Sequence, residues 1–274
     1  MGEPHSAMLA ASMEAAVDAL HGGDPSRAVE ANRFLVELVD QPAAAGAADM
    51  LLSIGTASAA SLTFAAGLVG RAAEHSGGAA VQQHLLNHCA RLACKPACTR
   101  LAQALVTVAV AETAEDALLT SQAVAGLEPP RQLIILHVLA ERMEQQASPE
   151  ELHARPSAVA ASARALELLM SHLLHPPSTP PAVRADPASI MRCLASWAAC
   201  GLGYAAFYTT HKQLLAALLQ ALVALPRLPT CQVGRSGHGY LHERASAEQL
   251  SEAALVAEVL RCCLQSSLEL DVCR

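Results

Sequence analysis

The sequence predicts an all-α protein, arranged as a HEAT- or armadillo-like helical-repeat solenoid of about six helix pairs. Alanine and leucine recur throughout the 274 residues, and only 3% of the residues are aromatic, a composition typical of helices. Apolar residues repeat at i, i+3, i+4 and i+7 in segment after segment, whereas no segment alternates as a strand does. The helices come in pairs at a spacing of roughly forty residues, which is typical of such arrays.

The first clear helix lies in the segment DPSRAVEANRFLVELVD. It begins with an Asp-Pro start signal. Ala31, Phe34, Leu35 and Leu38 then share one face, as expected for a half-buried helix. We expect Phe34 to anchor this helix in the core.

The next segment, Met50 to Gly70, carries no charge and is long enough to span a bilayer. Gly, Ser and Thr interrupt it throughout, and alanine supplies most of its apolar residues, so its transfer into lipid is weakly favourable. We therefore expect a buried helix pair with a turn near Thr56 to Ser58, and no membrane span.

Helical spacing continues along the rest of the chain. Two segments have apolar faces formed by Val81, Leu85, Cys89 and Leu92, and by Leu101, Ala104, Leu105 and Val108. A third, PPRQLIILHVLAERMEQ, is apolar nearly all round through Leu139, so it should be covered on several sides. Further helices are predicted over Ser157–Leu174, Pro187–Leu202, His211–Leu225 and Ala247–Leu268.

The single tryptophan of the chain, Trp197, lies in the segment MRCLASWAACG. On a helix it shares a face with Ile190 and Leu194, so we expect Trp197 and Leu194 to be packing anchors. The alternative is an exposed ring that stacks on a ligand, which the apolar neighbours along the same face disfavour.

The predicted organisation is one helical-repeat array over residues 1–274, whose leading repeats occupy 1–75. Further helix pairs follow over 76–226. A loop rich in Pro and Gly occupies 227–246, and a terminal helix of an array that continues further occupies 247–274.

Composition argues against several functions. The net charge is −7, and Lys and Arg form no basic stripe, so a direct nucleic-acid ligand is disfavoured. The segment GRSGHG, Gly234 to Gly239, follows no strand and opens no helix, so neither a phosphate loop nor a nucleophile elbow is supported. We predict no enzyme activity, no catalytic residues and no cofactor. The nine cysteines are interpreted as reduced thiols of a cytoplasmic or nuclear protein.

One segment, HLLNHCARLACKPAC, has the residue types of a zinc site. His84 and His88 are one helical turn apart, and Cys94 and Cys98 have plausible ligand spacing. The interpretation that we favour is structural: the histidines are solvated on the polar side of the helix, the two cysteines span a turn, and no metal is bound.

Several segments together resemble the transportin-3 and importin-13 branch of the importin-β nuclear transport receptors. SIMRCLASWAACG is similar to a family pattern in which a basic residue precedes Cys-Leu and Ser-Trp. Six other segments resemble parts of the family and occur along the chain in the family's order: EANRFLVELVDQPAAAGAADMLLS, FAAGLVGRA, VQQHLLNHCARL, CTRLAQALVTVAVA, LIILHVLAERM and YLHERAS. The chain departs from the family at Gly70, where members often have lysine, and at Ala140, where they have proline.

The resemblance implies a nuclear transport receptor that mediates protein import into the nucleus through the nuclear pore. Such a receptor moves between cytoplasm and nucleus and binds Ran-GTP, cargo proteins and nucleoporins. The resemblance covers the amino-terminal third of such a receptor, with residues 1–75 resembling the amino-terminal importin-β repeats, so much of the cargo-binding arch is expected beyond Arg274. The inner helices that contact Ran would be Arg27–Val39, Ser61–Ala72 and Thr99–Ala111, and the implied contact residues are Phe64, Arg71, Arg100 and Gln103. The alternative is a generic helical-repeat scaffold with another protein partner.

Overall fold

A computed structural model describes residues 3–148, 151–152, 154–173 and 187–200, and within these ranges the regular elements are helices, with no strand. The all-α prediction is therefore confirmed for the described chain. The helices are α1 (Glu3–His21), α2 (Pro25–Val39), α3 (Ala44–Ile54), α4 (Ala59–Ser76), α5 (Ala79–Arg91), α6 (Lys95–Ala111), α7 (Glu115–Thr120), α8 (Gln122–Ala125), α9 (Pro129–Gln146), α10 (Pro156–Leu173) and α11 (Pro187–Ala199).

The chain divides after Arg142 into two units. In the first unit, α1 packs against α2, α3 and α4, while α3 packs against α4 and α5 packs against α6. The most extensive packing joins α4 to α6, which are two positions apart in chain order. The second helix of the α3–α4 pair thus contacts the second helix of the α5–α6 pair.

Local sequence signals set the helix ends. Asp24 precedes Pro25, the first residue of α2, and its side chain accepts hydrogen bonds from the backbone N–H groups of Ser26 and Arg27. These bonds satisfy donors that have no partner within the helix. Ser58 does the same for α4 by accepting from the N–H of Ser61.

The uncharged segment from Met50 to Gly70 is broken in two, as predicted. Helix α3 ends at Ile54, and Gly55 adopts the left-handed conformation with φ 70°, which glycine tolerates without steric cost. Helix α4 begins at Ala59. Among the described residues, no helix has the length and apolar content needed to cross a membrane.

The apolar faces predicted from spacing form the core of the first unit. Leu85, Cys89 and Leu92 are buried, whereas Val81 is half-buried. All four residues of the predicted α6 face are buried. Helix α9 is covered on several sides, as expected, since its buried residues include Leu133, Ile135, Leu136, Val138, Leu139 and Ala140.

The predicted anchors differ in how deeply they are buried. Leu194 and Trp197 of α11 are fully buried in the second unit, where α11 packs against α10. Ala31, Leu35 and Leu38 of α2 are also buried, whereas Phe34 is only half-buried. Phe34 therefore lies at the edge of the core.

Several predicted features lie outside the described residues. They are the helices at His211–Leu225 and Ala247–Leu268, the loop at 227–246, the GRSGHG segment and the YLHERAS segment.

Candidate functional site

The first unit carries a concave groove with a volume of about 870 Å³. Three alternate helices, α2, α4 and α6, supply most of its lining, and the carboxyl-terminal end of α1 adds Val17, Leu20 and His21. These helices are the three segments that the family resemblance assigns to an inner surface. The groove crosses successive helix pairs, a geometry that suits an extended protein partner more than a small ligand.

All four residues implied as Ran contacts line this groove. Phe64 and Arg71 come from α4, and Arg100 and Gln103 come from α6. Phe64 is half-buried, while the other three side chains are exposed. The Nη1 group of Arg100 donates a hydrogen bond of 3.5 Å to Oε1 of Gln103. The structure thus brings together residues that are up to 39 positions apart in the sequence.

The groove has two guanidinium groups available to a partner. Neither Arg71 nor Arg100 forms an ion pair with any described residue, in contrast to Arg27, Arg131 and Arg164. Glu74 is the acidic residue on the same lining. Because a guanidinium binds carboxylates through two parallel hydrogen bonds, the two arginines suit acidic side chains of a partner.

Sequence reasoning missed the apolar part of this groove. Leu20 and Val36 both line it, and Val36 is 61% exposed. Val36 follows Val29 by seven residues on α2, and Val29 is also exposed. That i, i+7 spacing is a signal for a second apolar stripe, opposite the buried face of Leu35 and Leu38.

The departure from the family at Gly70 has a structural counterpart. A Cβ atom at Gly70 would lie 3.0 Å from the Cβ of Ala104 and 3.9 Å from the carbonyl oxygen of Arg100. Gly70 is therefore a point of close approach between α4 and α6. A longer side chain would push the two helices apart and widen the groove floor.

The structure corrects the prediction that His84 and His88 are both solvated. The side chain of His88 is only 5% exposed, and that of His84 is 50% exposed. Both Nε2 atoms lie within hydrogen-bonding distance of one oxygen, Oδ1 of Asp49 on α3, at 2.6 Å for His84 and 2.7 Å for His88. Sequence reasoning missed Asp49 because it lies 35 residues before His84.

Cys94 and Cys98 do not join this cluster, which consists of Asp49, His84 and His88. Cys98 is buried, and its Sγ lies 3.3 Å from the carbonyl oxygen of Leu92. Burial raises the pKa of the Cys98 thiol, and it raises the pKa of the neighbouring Cys89 thiol to about 12. These two thiols are therefore protonated at neutral pH and behave as small apolar groups.

Comparison of the chain with protein-family models, curated proteins and solved structures yields no match.

Proposed function

We propose that this chain is a protein-binding array of the nuclear transport receptor type, and that its groove binds Ran-GTP. The observation that carries the proposal is the lining of the groove by α2, α4 and α6. These are the helices that the resemblance assigns to the inner, Ran-contacting surface. In this proposal the helix pairs stack as HEAT-like repeats, and the even-numbered helices form the concave side.

The groove offers two kinds of contact to such a partner. Leu20, Val36 and Phe64 supply apolar surface, and apolar surface removed from water is the main source of binding free energy. Arg71 and Arg100 supply two positive charges that form no ion pair with the residues the structure describes. Such charges orient a partner and accelerate its association. Each contact is modest, so affinity depends on touching several helices at once.

The proposal requires binding to depend on the nucleotide. The switch loops of a GTPase rearrange when the γ-phosphate is lost, so a partner that contacts them distinguishes the GTP form from the GDP form. In the cell, the chain would move between cytoplasm and nucleus and bind cargo proteins and nucleoporins. Because the groove is shallow and each contact to it is modest, we expect a dissociation constant for Ran-GTP in the micromolar range.

The test is a titration of the purified chain with Ran loaded with a non-hydrolysable GTP analogue, beside a titration with Ran-GDP. Isothermal calorimetry should show micromolar binding to the first and much weaker binding to the second. The double variant Arg71→Glu, Arg100→Glu should weaken binding to the GTP form by at least about tenfold, which corresponds to about 1.4 kcal/mol.

Arg91→Glu is the matched control, because Arg91 is exposed on α5 and does not line the groove. It reverses one charge, as each of the two groove substitutions does, and should leave binding unaltered. Equal binding to both nucleotide forms, or no binding at high micromolar concentration, would reject Ran as the partner. The generic scaffold with a different protein partner would then be the better description.

A further inference from the structure

Three side chains from two helices converge on one point at the edge of the first unit. Asp49 comes from α3, and His84 and His88 come from successive turns of α5. One potential ligand atom from each residue lies within 4.8 Å of the other two. The imidazole rings meet edge to face, with centroids 4.7 Å apart and an interplanar angle of 88°.

Contrary to the sequence-based expectation that no metal is bound here, we propose that Asp49, His84 and His88 form a binding site for a divalent transition-metal ion. Zn²⁺ is the ion that the donor set suits. Two imidazole nitrogens and one carboxylate oxygen are ligands that zinc commonly takes in proteins. The i, i+4 spacing places both histidines on one face of α5. The site is independent of the groove and of its proposed partner.

The two distances between imidazole and carboxylate need little adjustment to hold the ion. Ligand atoms about 2.0 to 2.1 Å from a tetrahedral zinc ion lie roughly 3.3 Å from one another. The two Nε2 atoms now lie 2.6 and 2.7 Å from Oδ1 of Asp49, so these atoms must separate by about 0.6 Å. The side chains of Asp49 and His84 are 37% and 50% exposed, which leaves them room to rotate.

The surroundings of the three side chains favour a bound cation that keeps one coordination position open to water. Asp49 forms its ion pairs with these two histidines and with no Lys or Arg among the described residues, so no fixed positive charge occupies its carboxylate. The exposure of His84 and Asp49 opens the site to solvent, and a water molecule completes four-coordination. The net charge of −7 adds a favourable field for a cation.

The hydrogen bonds that the two ligating imidazoles make to the rest of the protein set the expected affinity for the zinc ion. A metal-ligating imidazole normally donates its second N–H to a carbonyl or carboxylate, and loss of such a partner weakens binding by about 10- to 100-fold. Within the described part of the chain, Nδ1 of His88 is buried without a hydrogen-bond partner. We therefore expect a dissociation constant for Zn²⁺ in the micromolar range. The bound ion would link α3 to α5.

Calorimetric titration of the chelator-treated full chain with Zn²⁺ tests the site. The variants His84→Gln and Asp49→Asn should each lose one zinc equivalent. Both changes are at partly exposed side chains, so they should leave the helical circular dichroism spectrum intact. His75→Gln is the matched control, since His75 is exposed on α4 and bonds to a backbone carbonyl of its own helix. It should keep the full stoichiometry.

Cobalt substitution separates this site from the thiols of the chain. Co²⁺ bound to nitrogen and oxygen ligands shows visible d–d bands that His84→Gln removes and Cys94→Ser preserves. Three outcomes would overturn the proposal: no zinc binding at millimolar concentration, unchanged stoichiometry in both His84→Gln and Asp49→Asn, or loss of the same equivalent in Cys94→Ser.

Discussion

Trp197 is the largest fully buried side chain of the described residues, in a protein that has few aromatic residues. Ile190 and Leu194 precede it on the same face of α11, and all three are buried. Its Nε1 atom is buried and has no hydrogen-bond partner among the described residues. The ring therefore stabilises the fold through its packing and through the removal of its apolar surface from water. Its buried N–H group carries a desolvation cost.

Replacement of Trp197 measures this contribution. We expect Trp197→Ala to lower the free energy of unfolding of the part that contains α10 and α11 by about 3–5 kcal/mol, because it leaves a large cavity. Trp197→Phe keeps an aromatic ring and removes the N–H without a partner, so it should cost clearly less. Urea unfolding followed by circular dichroism makes the comparison. Equal stability of Trp197→Ala and the unaltered chain would show that the ring does not anchor the fold.

At the scale of elements, small residues decide how closely the helices approach. Gly70 of α4 faces Ala104 of α6, where a Cβ atom would come within 3.0 Å of the alanine. Gly67 lies three residues earlier on α4. Apart from its chain neighbours and the backbone of its own helix, no atom of the described residues lies within 4 Å of its Cβ position. The two glycines thus share a helix and differ in their surroundings.

A matched pair of substitutions separates helix propensity from close packing. Gly67→Leu should raise the free energy of unfolding by up to about 1 kcal/mol, because leucine favours a helix over glycine and the space is open. Gly70→Leu should lower it by about 1–3 kcal/mol, because α4 and α6 must move apart. Thermal unfolding of both variants provides the measurement. A stabilising Gly70→Leu would mean that α4 and α6 do not pack closely at this point.

At the scale of the whole molecule, the first unit has the contacts that a separate domain needs. Its core includes Met13, Leu38, Leu52, Leu85 and Leu105, which are almost completely buried and come from α1, α2, α3, α5 and α6. The groove and the histidine cluster both lie within this unit. Each can therefore be studied without the second unit.

We expect a fragment of residues 1–148 to fold alone into a helical protein that unfolds cooperatively. The buried core of α1 to α9 supplies its stabilisation, as in an array whose neighbouring elements contact one another. Circular dichroism with thermal and urea unfolding tests this expectation, with the full chain as the reference. A fragment that binds hydrophobic dyes and melts without a transition would show that its core is incomplete.

The sequence by itself determined the features that depend on neighbours within a few residues. Helical spacing identified the buried faces of α2, α5 and α6, and the Asp24-Pro25 signal marked the start of α2. Small and polar residues predicted the break between α3 and α4. These features were predictable because propensity, capping and periodicity are local properties.

Only the tertiary structure decided which distant residues meet. It placed Asp49 beside His84 and His88, buried His88 against the expectation of a solvated side chain, and brought α4 close to α6 at Gly70. It also placed Val36 on the same groove as Arg71 and Arg100. Helical periodicity assigns a residue to a face of its own helix and says nothing about the facing helix. The identity of the facing helix depends on how surfaces pack whose residues lie 30 to 40 positions apart in the sequence. The periodic pattern of a single helix does not encode that packing.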